Sequence, residues 1–227
     1  MNLPLKSPSL LLGTRNPGKL REIETILGNI PWRIRSLREF ETLGVAAEDA
    51  ETYTENAILK AQFYARETGL CALADDSGLE VAALGGAPGV YSARYAGENA
   101  SDADRRTLLL SNLESVARTN GQAAADRRAR FVCAVAIATP DGRVLHVAEG
   151  ICHGTIIFGP RGSGGFGYDP LFVPDGFNET FAELPDSIKN QISHRARALL
   201  QTREFLVSDA AHVSLAQLQH NSQRGRT

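Results

Sequence analysis

Three stretches of this chain combine residue types that could do chemistry. In the first, an apolar run from Leu70 to Ala74 ends in two adjacent carboxylates, Asp75 and Asp76, followed by Ser77 and Gly78. A strand that buries its middle and delivers acids at its carboxyl end is a common way to hold a hard cation in an α/β protein. Taken alone, Asp-Ser-Gly is ordinary turn chemistry, and a plain turn is the better reading. The second stretch, Gly13-Thr14-Arg15-Asn16-Pro17-Gly18-Lys19-Leu20, nearly matches the phosphate-binding pattern G-x-x-x-x-G-K-[ST]. Leu20 stands where a metal-ligating hydroxyl belongs, so the octet reads as a phosphate loop of another type with its metal held elsewhere. By itself it is equally an ordinary strand-to-helix turn. The third, Pro160 to Pro170, sets four glycines around Phe166, Tyr168 and Asp169. Glycines let backbone approach a ligand closely, Phe166 is shaped to stack on a planar base, and backbone groups with Asp169 are suited to read its edge. A loop whose aromatics plug the core is the alternative; binding is favoured because so glycine-dense a loop is costly to order.

Weaker candidates lie between. Asn56 and Lys60, four apart, share one helix face and make a reasonable phosphate contact, although an exposed lysine is the commoner case. The acidic segment from Leu37 to Glu51 offers one metal ligand among mostly solvated carboxylates. Lys189, Ser193, His194 and Arg195 form a polar cluster. On a regular helix Lys189 and His194 are about 500° apart, so they meet one ligand only at a helix end or an irregularity.

The elements that must position these groups follow from periodicity. Ser9 to Thr14 reads as a short buried strand, and Leu20, Ile23 and Leu27 form one face of a helix stopped by Gly28. Trp32 to Ser36 alternates as a strand. Thr52 and Glu55 fit a capping box for a helix ending at Gly69, with Tyr53, Ala57, Ala61, Tyr64 and Ala65 buried. After the carboxylates, Gly78 to Leu84 reads as a separate strand, and a further helix opens at Ser101. Residues 129–139 and 143–158 form a hairpin around Pro140-Asp141-Gly142, the second strand broken near Gly150. Pro185-Asp186-Ser187 starts one helix with Ile188, Ile192, Ala196 and Leu199 as its stripe. The sheet is therefore mixed. One domain over residues 1–227 is the simplest organisation, with a core over about 9–207 and a polar tail, 208–227, expected to be mobile.

Composition excludes several classes. Twenty-four basic against 26 acidic residues leave no basic excess for nucleic acid or a membrane surface. Residues 1–9 show no secretory pattern, and no segment reaches the length of a membrane span. Cys71, Cys133 and Cys152 fit neither a zinc site nor a disulfide framework and read as reduced core thiols, which suits the cytoplasm.

With these residues in hand, the chain resembles the non-canonical purine nucleoside triphosphate pyrophosphatases, the inosine/xanthosine triphosphatase family. The similarity rests on six collinear motifs between about Leu10 and Leu206: Thr14 to Lys19, Glu55 to Ala61, Ala74 to Leu79, Gly85 to Tyr95, Gly164 to Pro170, and Lys189 with Ser193 to Arg195. The resemblance implies an α/β fold with a long, mixed, curved sheet flanked by helices, and two lobes with the active site in the cleft. It implies a homodimer that uses Mg2+ to cleave ITP, dITP and XTP to the monophosphate and pyrophosphate. By motif, Asp76 is the expected catalytic base near the metal, supported by Asp75. Thr14, Arg15, Asn16, Pro17, Gly18 and Lys19 hold phosphates, with Lys60 and Lys189. Ser77 touches the nucleotide, and Phe166, Gly167, Tyr168 and Asp169, with His194 and Arg195, read the base. The register of the family's metal-binding glutamate falls on Ala47, with Glu48 beside it. Either Glu48 takes over by a small shift, or the metal leans on Asp76 and water. Two other readings stay open: a P-loop kinase or NTPase with Ala74-Asp75 as its acidic strand, and a nucleotide-binding regulator without turnover.

Overall fold

The structure is a computed structural model that describes residues 7–208 apart from Glu41 and Gln122. The expectation for the tail beyond Ser208 lies outside the described residues. No helix among these is long and apolar enough to cross a membrane.

β1 (Ser9–Leu12) carries three leucines wholly out of solvent, each worth roughly 1.5–3 kcal/mol of burial. α1 (Pro17–Leu27) follows, then β2 (Arg33–Ser36). α2 (Tyr53–Thr68) is capped by Thr52, whose hydroxyl oxygen accepts the Glu55 N–H at 3.1 Å. The Glu55 carboxylate accepts from the Thr52 hydroxyl, so half of the capping box forms. β3 (Cys71–Val81), α3 (Asp102–Thr119), β4 (Arg128–Ala138), β5 (Val144–Ile156), β6 (Phe172–Pro174), α4 (Asp186–Ile192) and α5 (His194–Val207) complete the order. The six strands form one mixed sheet in the order β2-β1-β3-β4-β5-β6. β2, β1 and β3 run parallel, and β3 to β6 antiparallel.

Three sequence-based expectations are corrected. The strand carrying the carboxylates does not end at them. β3 continues through Asp75-Asp76-Ser77-Gly78 to Val81, so there is no separate strand over 78–84, and Ala82–Leu84 is a 3-10 turn. The cause is tertiary: β4 presents an unbroken partner from Ala138 to Ala129, and its ladder overrides the turn preference of Asp-Ser-Gly. β5 is not broken at Gly150 either. A Cβ there would lie 2.1 Å from the His194 carbonyl oxygen, so the glycine lets α5 pack directly on the sheet. The last helix is two helices. Ser193 leaves helical geometry (ψ 160°) and its hydroxyl accepts the Ala196 N–H at 3.1 Å, capping α5.

The two faces of the sheet are covered differently. Leu10, Leu12, Leu73, Val135 and Ile137 pack beneath α1 and α5, whereas Ala72, Ala74, Ala134 and Ala136 receive Ala57 and Ala61 of α2. Alanine facing alanine lets α2 lie close to the strands. A third cluster, with Leu79, Phe131, Phe172 and Phe181, packs against Leu109 and Leu113 of α3 at the far end of β3, β4 and β5. The cleft runs between this third cluster and the first two.

Candidate active site

The cleft is positioned by where β1 stops. β1 pairs with β3 only as far as Leu73, and the last bond runs from the Gly13 N–H to the Leu73 carbonyl at 2.7 Å. β3 carries on, so Asp75 and Asp76 stand just beyond the carboxyl ends of the parallel strands. That is where open α/β sheets bind ligands, even though the strand itself continues.

The strand period of two sends the neighbouring acids to opposite faces. Asp75 turns toward α1 and α5, where Lys19 Nζ lies 3.1 Å and Arg195 Nε 3.2 Å from its Oδ2. Burial raises its carboxyl, and the charges of Lys19, Arg195 and Lys60 more than reverse this, leaving it well below the usual carboxylate range. Asp76 turns toward α2, and its Oδ1 accepts from Lys60 Nζ at 2.9 Å. Burial pushes this carboxyl up, and Lys60 offsets that only in part. Lys60 itself is buried and also reaches Glu48 Oε1 at 3.2 Å, so Glu48, the acid next to the register position at Ala47, does arrive at the site. Asn56 does not: it is 1% exposed and bonds both polar groups of Ala50.

The 13–20 octet is built as a helix cap. The Asn16 side-chain oxygen accepts from the Gly18 N–H at 2.8 Å and the Lys19 N–H at 3.1 Å, with Pro17 at the first helical position. These are the amides that a P-loop would give to phosphate, so the P-loop reading is not favoured. Thr14 accepts from the Asn16 N–H, and Arg15 donates to the Leu43 carbonyl. Gly18 has a packing role: a Cβ there would lie 2.5 Å from the Phe166 ring.

The glycine-rich loop ends in Asp169, buried, with Oδ2 accepting from the Phe166 N–H at 2.9 Å and from Lys189 Nζ at 2.5 Å. Lys189 Nζ also lies 4.9 Å from the Phe166 ring centroid, so the ring already sits on a cation. Gly167 donates its N–H to Asp102 Oδ2 at 2.7 Å and accepts from Arg106 Nη1 at 2.7 Å; Tyr168 donates to the Ser92 carbonyl. His194 stacks on Phe131 with centroids 4.6 Å apart, and its Nδ1 is buried with no partner among the described residues. Burial and the neighbouring Arg195 and Lys189 charges hold it well below its ordinary value, so it is neutral. Arg195, 2% exposed, reaches Asp75, Ser77 Oγ at 2.9 Å and Glu22. The break at Ser193 is the irregularity that brings His194 to the cleft, while Lys189 lies behind Phe166 on Asp169 and Glu22.

Sequence reasoning missed Glu22, Asp102, Arg105 and Ser92. Glu22 joins Lys189 (2.8 Å) to Arg195. Its partner Arg195 lies 173 residues away, and nothing in Arg21-Glu22-Ile23 signals the meeting. Asp102 was visible only as the first residue of a helix.

The resulting cleft, about 300 Å³, is lined from both sides by these groups. A divalent cation fits it. Asp75 Oδ1 and Asp76 Oδ2 are buried acceptors without a partner among the described residues, which is costly unless something positive completes them. No three His, Cys, Asp or Glu side chains among the described residues form a closed cage. An ion bound there would take one or two carboxylates together with phosphate oxygens and water.

A mixed sheet with its cleft at the end of the parallel strands, lined by adjacent acids and two lysines, is the layout of a ligand-binding α/β protein. Residues 10–205 match the model of the Ham1 family, and the chain belongs to that family. It is 50% identical over 197 residues to the dITP/XTP pyrophosphatase of Geobacter sulfurreducens, covering 87% of this chain and 96% of that one. It is 47% identical to a protein of the same name from Thermus thermophilus, covering 86% and 90%. Among solved structures, the HAM1 protein of Coxiella burnetii superposes with a TM-score of 0.78 at 40% identity, covering 88% of this chain and 98% of that one. The Staphylococcus aureus Ham1 protein gives 0.74 at 38%, covering 87% and 97%.

Proposed function

We propose that this protein is a hydrolase that cleaves ITP, dITP and XTP between the α- and β-phosphates, releasing the nucleoside monophosphate and pyrophosphate. The observation that carries this is Asp76: a buried carboxylate paired with Lys60 and with one unpartnered oxygen, lining a cleft that also holds Lys19 and the aromatic loop of Phe166. The names of its half-identical relatives point the same way.

Asp76 is cast as the base that orients water and takes its proton. Lys19 and Lys60 neutralise charge on the phosphates. Asp76, with Asp75 or Glu48 beside it, would hold magnesium, which when bound draws charge from the phosphate oxygens and supplies acidified water. Phe166, carried by the Asp169–Lys189 pair, offers its face to the base, while His194, Arg195 and Ser77 border it. A site matched to a 6-keto purine rejects a 6-amino purine because buried partners are left unpaired, which can discriminate by orders of magnitude. A homodimer and a reducing, cytoplasmic setting belong to the same proposal, the latter in line with three buried, unbridged cysteines.

Product identity tests it. With magnesium and ITP, XTP, GTP or ATP in turn, pyrophosphate plus monophosphate should appear far faster from ITP and XTP. Orthophosphate plus diphosphate would overturn the bond assignment. Binding without turnover would instead favour the regulator.

A further inference from the structure

The loop that carries Phe166 is held from two sides by alternating pairs of residues. Phe166 packs on Gly18 of α1, and Asp169 pairs with Lys189 of α4, both on the side of the cleft that holds Asp75. The two residues between them turn the other way. Gly167 is gripped by α3, and the Tyr168 hydroxyl donates to the Ser92 carbonyl at 3.1 Å. The grip on Gly167 takes both of its backbone polar groups. Asp102 accepts the N–H and Arg106 donates to the C=O, each at 2.7 Å. Asp102 and Arg106 are four apart, so they project from one face of α3 with the glycine peptide between them.

The grip is itself anchored. Arg105 donates to the other oxygen of Asp102, and its Nη1 donates to the carbonyls of Ala93 (2.7 Å) and Ala100 (2.8 Å). The Ser101–Asp104 capping box fixes the start of the helix from which Asp102 projects. Asp102 borders the cleft, and each of its oxygens already holds a donor, Oδ2 the Gly167 N–H and Oδ1 Arg105, so its bonds tie the base loop to α3. A carboxylate at the edge of a polyanion site costs affinity through repulsion. Its presence there calls for a compensating role, and orienting the base loop supplies one.

We infer that Asp102 and Arg106 are positioning residues for nucleobase selection: by clamping Gly167 they set how far Phe166 stands from the opposite wall of the cleft, and hence which purine fits. This rests on the nucleotide reading proposed above. Loss of either clamp frees the loop on its α3 side while its contacts with Gly18 and Lys189 remain, which loosens the base pocket while the lysines that meet the phosphates stay in place.

The test compares Asp102→Ala, Asp102→Asn and Arg106→Ala with the wild-type protein. Calorimetry gives the affinity for ITP, GTP and inorganic tripolyphosphate, a probe that has phosphates and no base. Steady-state kinetics gives KM and kcat for ITP. In both alanine variants ITP affinity should fall roughly tenfold, the loss expected for one charge-assisted hydrogen bond. The ITP-to-GTP preference should shrink, KM should rise more than kcat falls, and tripolyphosphate binding should stay within about twofold of wild type. Asp102→Asn keeps an acceptor for the Gly167 N–H and should restore most of the preference. Unchanged ITP-to-GTP preference in a folded alanine variant overturns the inference, as does an equal loss of tripolyphosphate affinity, which would mark general damage. Should the wild type bind ITP without cleaving it, the hydrolytic reading fails alone, and the same binding series still decides the clamp.

Discussion

Asp75 and Asp76 are adjacent in sequence and equally buried, at 3% and 4% exposure, yet the two faces of β3 treat them in opposite ways. On the α1/α5 face Asp75 meets two cations on one oxygen and is held ionised. On the α2 face Asp76 meets one lysine that is shared with Glu48, and burial prevails. A pair of carboxyls pushed apart in this way divides two jobs. The one that stays charged anchors cations, and the one raised toward neutrality can exchange a proton. The strand period produces the division, because residues i and i+1 face different helices.

The contrast can be broken from either side. Asp76→Asn removes the proton acceptor and should lower ITP turnover by roughly 10³-fold, within the range a positioned base supplies. Its melting temperature should stay within a few degrees, because Lys60 keeps Glu48; pyrophosphate release and calorimetry check both. Asp75→Asn should do the reverse in emphasis. It leaves Lys19 and Arg195 short of a buried counter-charge, which costs about 3–5 kcal/mol, or roughly 6–20 °C in a domain of this size. Equal melting temperatures for the two variants would erase the distinction between the faces.

Lys19→Ala sharpens the comparison by weakening the Asp75 side without removing the acid. KM for ITP should rise by roughly tenfold or more with a smaller change in kcat, and unchanged kinetics would remove Lys19 from phosphate binding. The smallest effect concerns His194. Burial and nearby cations keep it neutral when folded, while the unfolded chain protonates below about pH 6.5. Below that pH the unfolded state binds more protons, so stability falls as pH drops, by up to about 1.4 kcal/mol per unit for this group. His146, also lowered by burial, adds to the slope. His194→Phe preserves the stack on Phe131, and urea titrations between pH 5 and 7 should show a shallower dependence than wild type.

What could be read from the sequence was what is local. β1, α1, the α2 cap and the β4–β5 turn each follow from leucine runs, caps and Pro-Asp-Gly within a few residues. The site residues were legible as motifs, and the structure brings Lys19, Lys60, Asp75, Asp76, Ser77, Phe166, His194 and Arg195 to one cleft, with Lys189 behind Phe166. The reach of β3 was not legible, because Asp-Ser-Gly is extended only by its pairing with Ala134, Cys133 and Val132 some 55 residues on. Nor was the role of Gly150, which depends on the backbone of α5, or of Glu22, whose two cationic partners arrive from the far end of the chain. Ser193 was read within a polar cluster, yet its geometry as a cap splits the helix and turns that cluster inward.

The division between the two acids is open to direct measurement. Carboxyl 13C resonances of aspartate-labelled protein, titrated from pH 7 downward and assigned with Asp75→Asn and Asp76→Asn, report each protonation. Asp76 should take up its proton above the ordinary aspartate value of about 3.9, while Asp75 stays ionised to well below it. Both acids titrating together near that value, or Asp75 protonating first, would contradict the account.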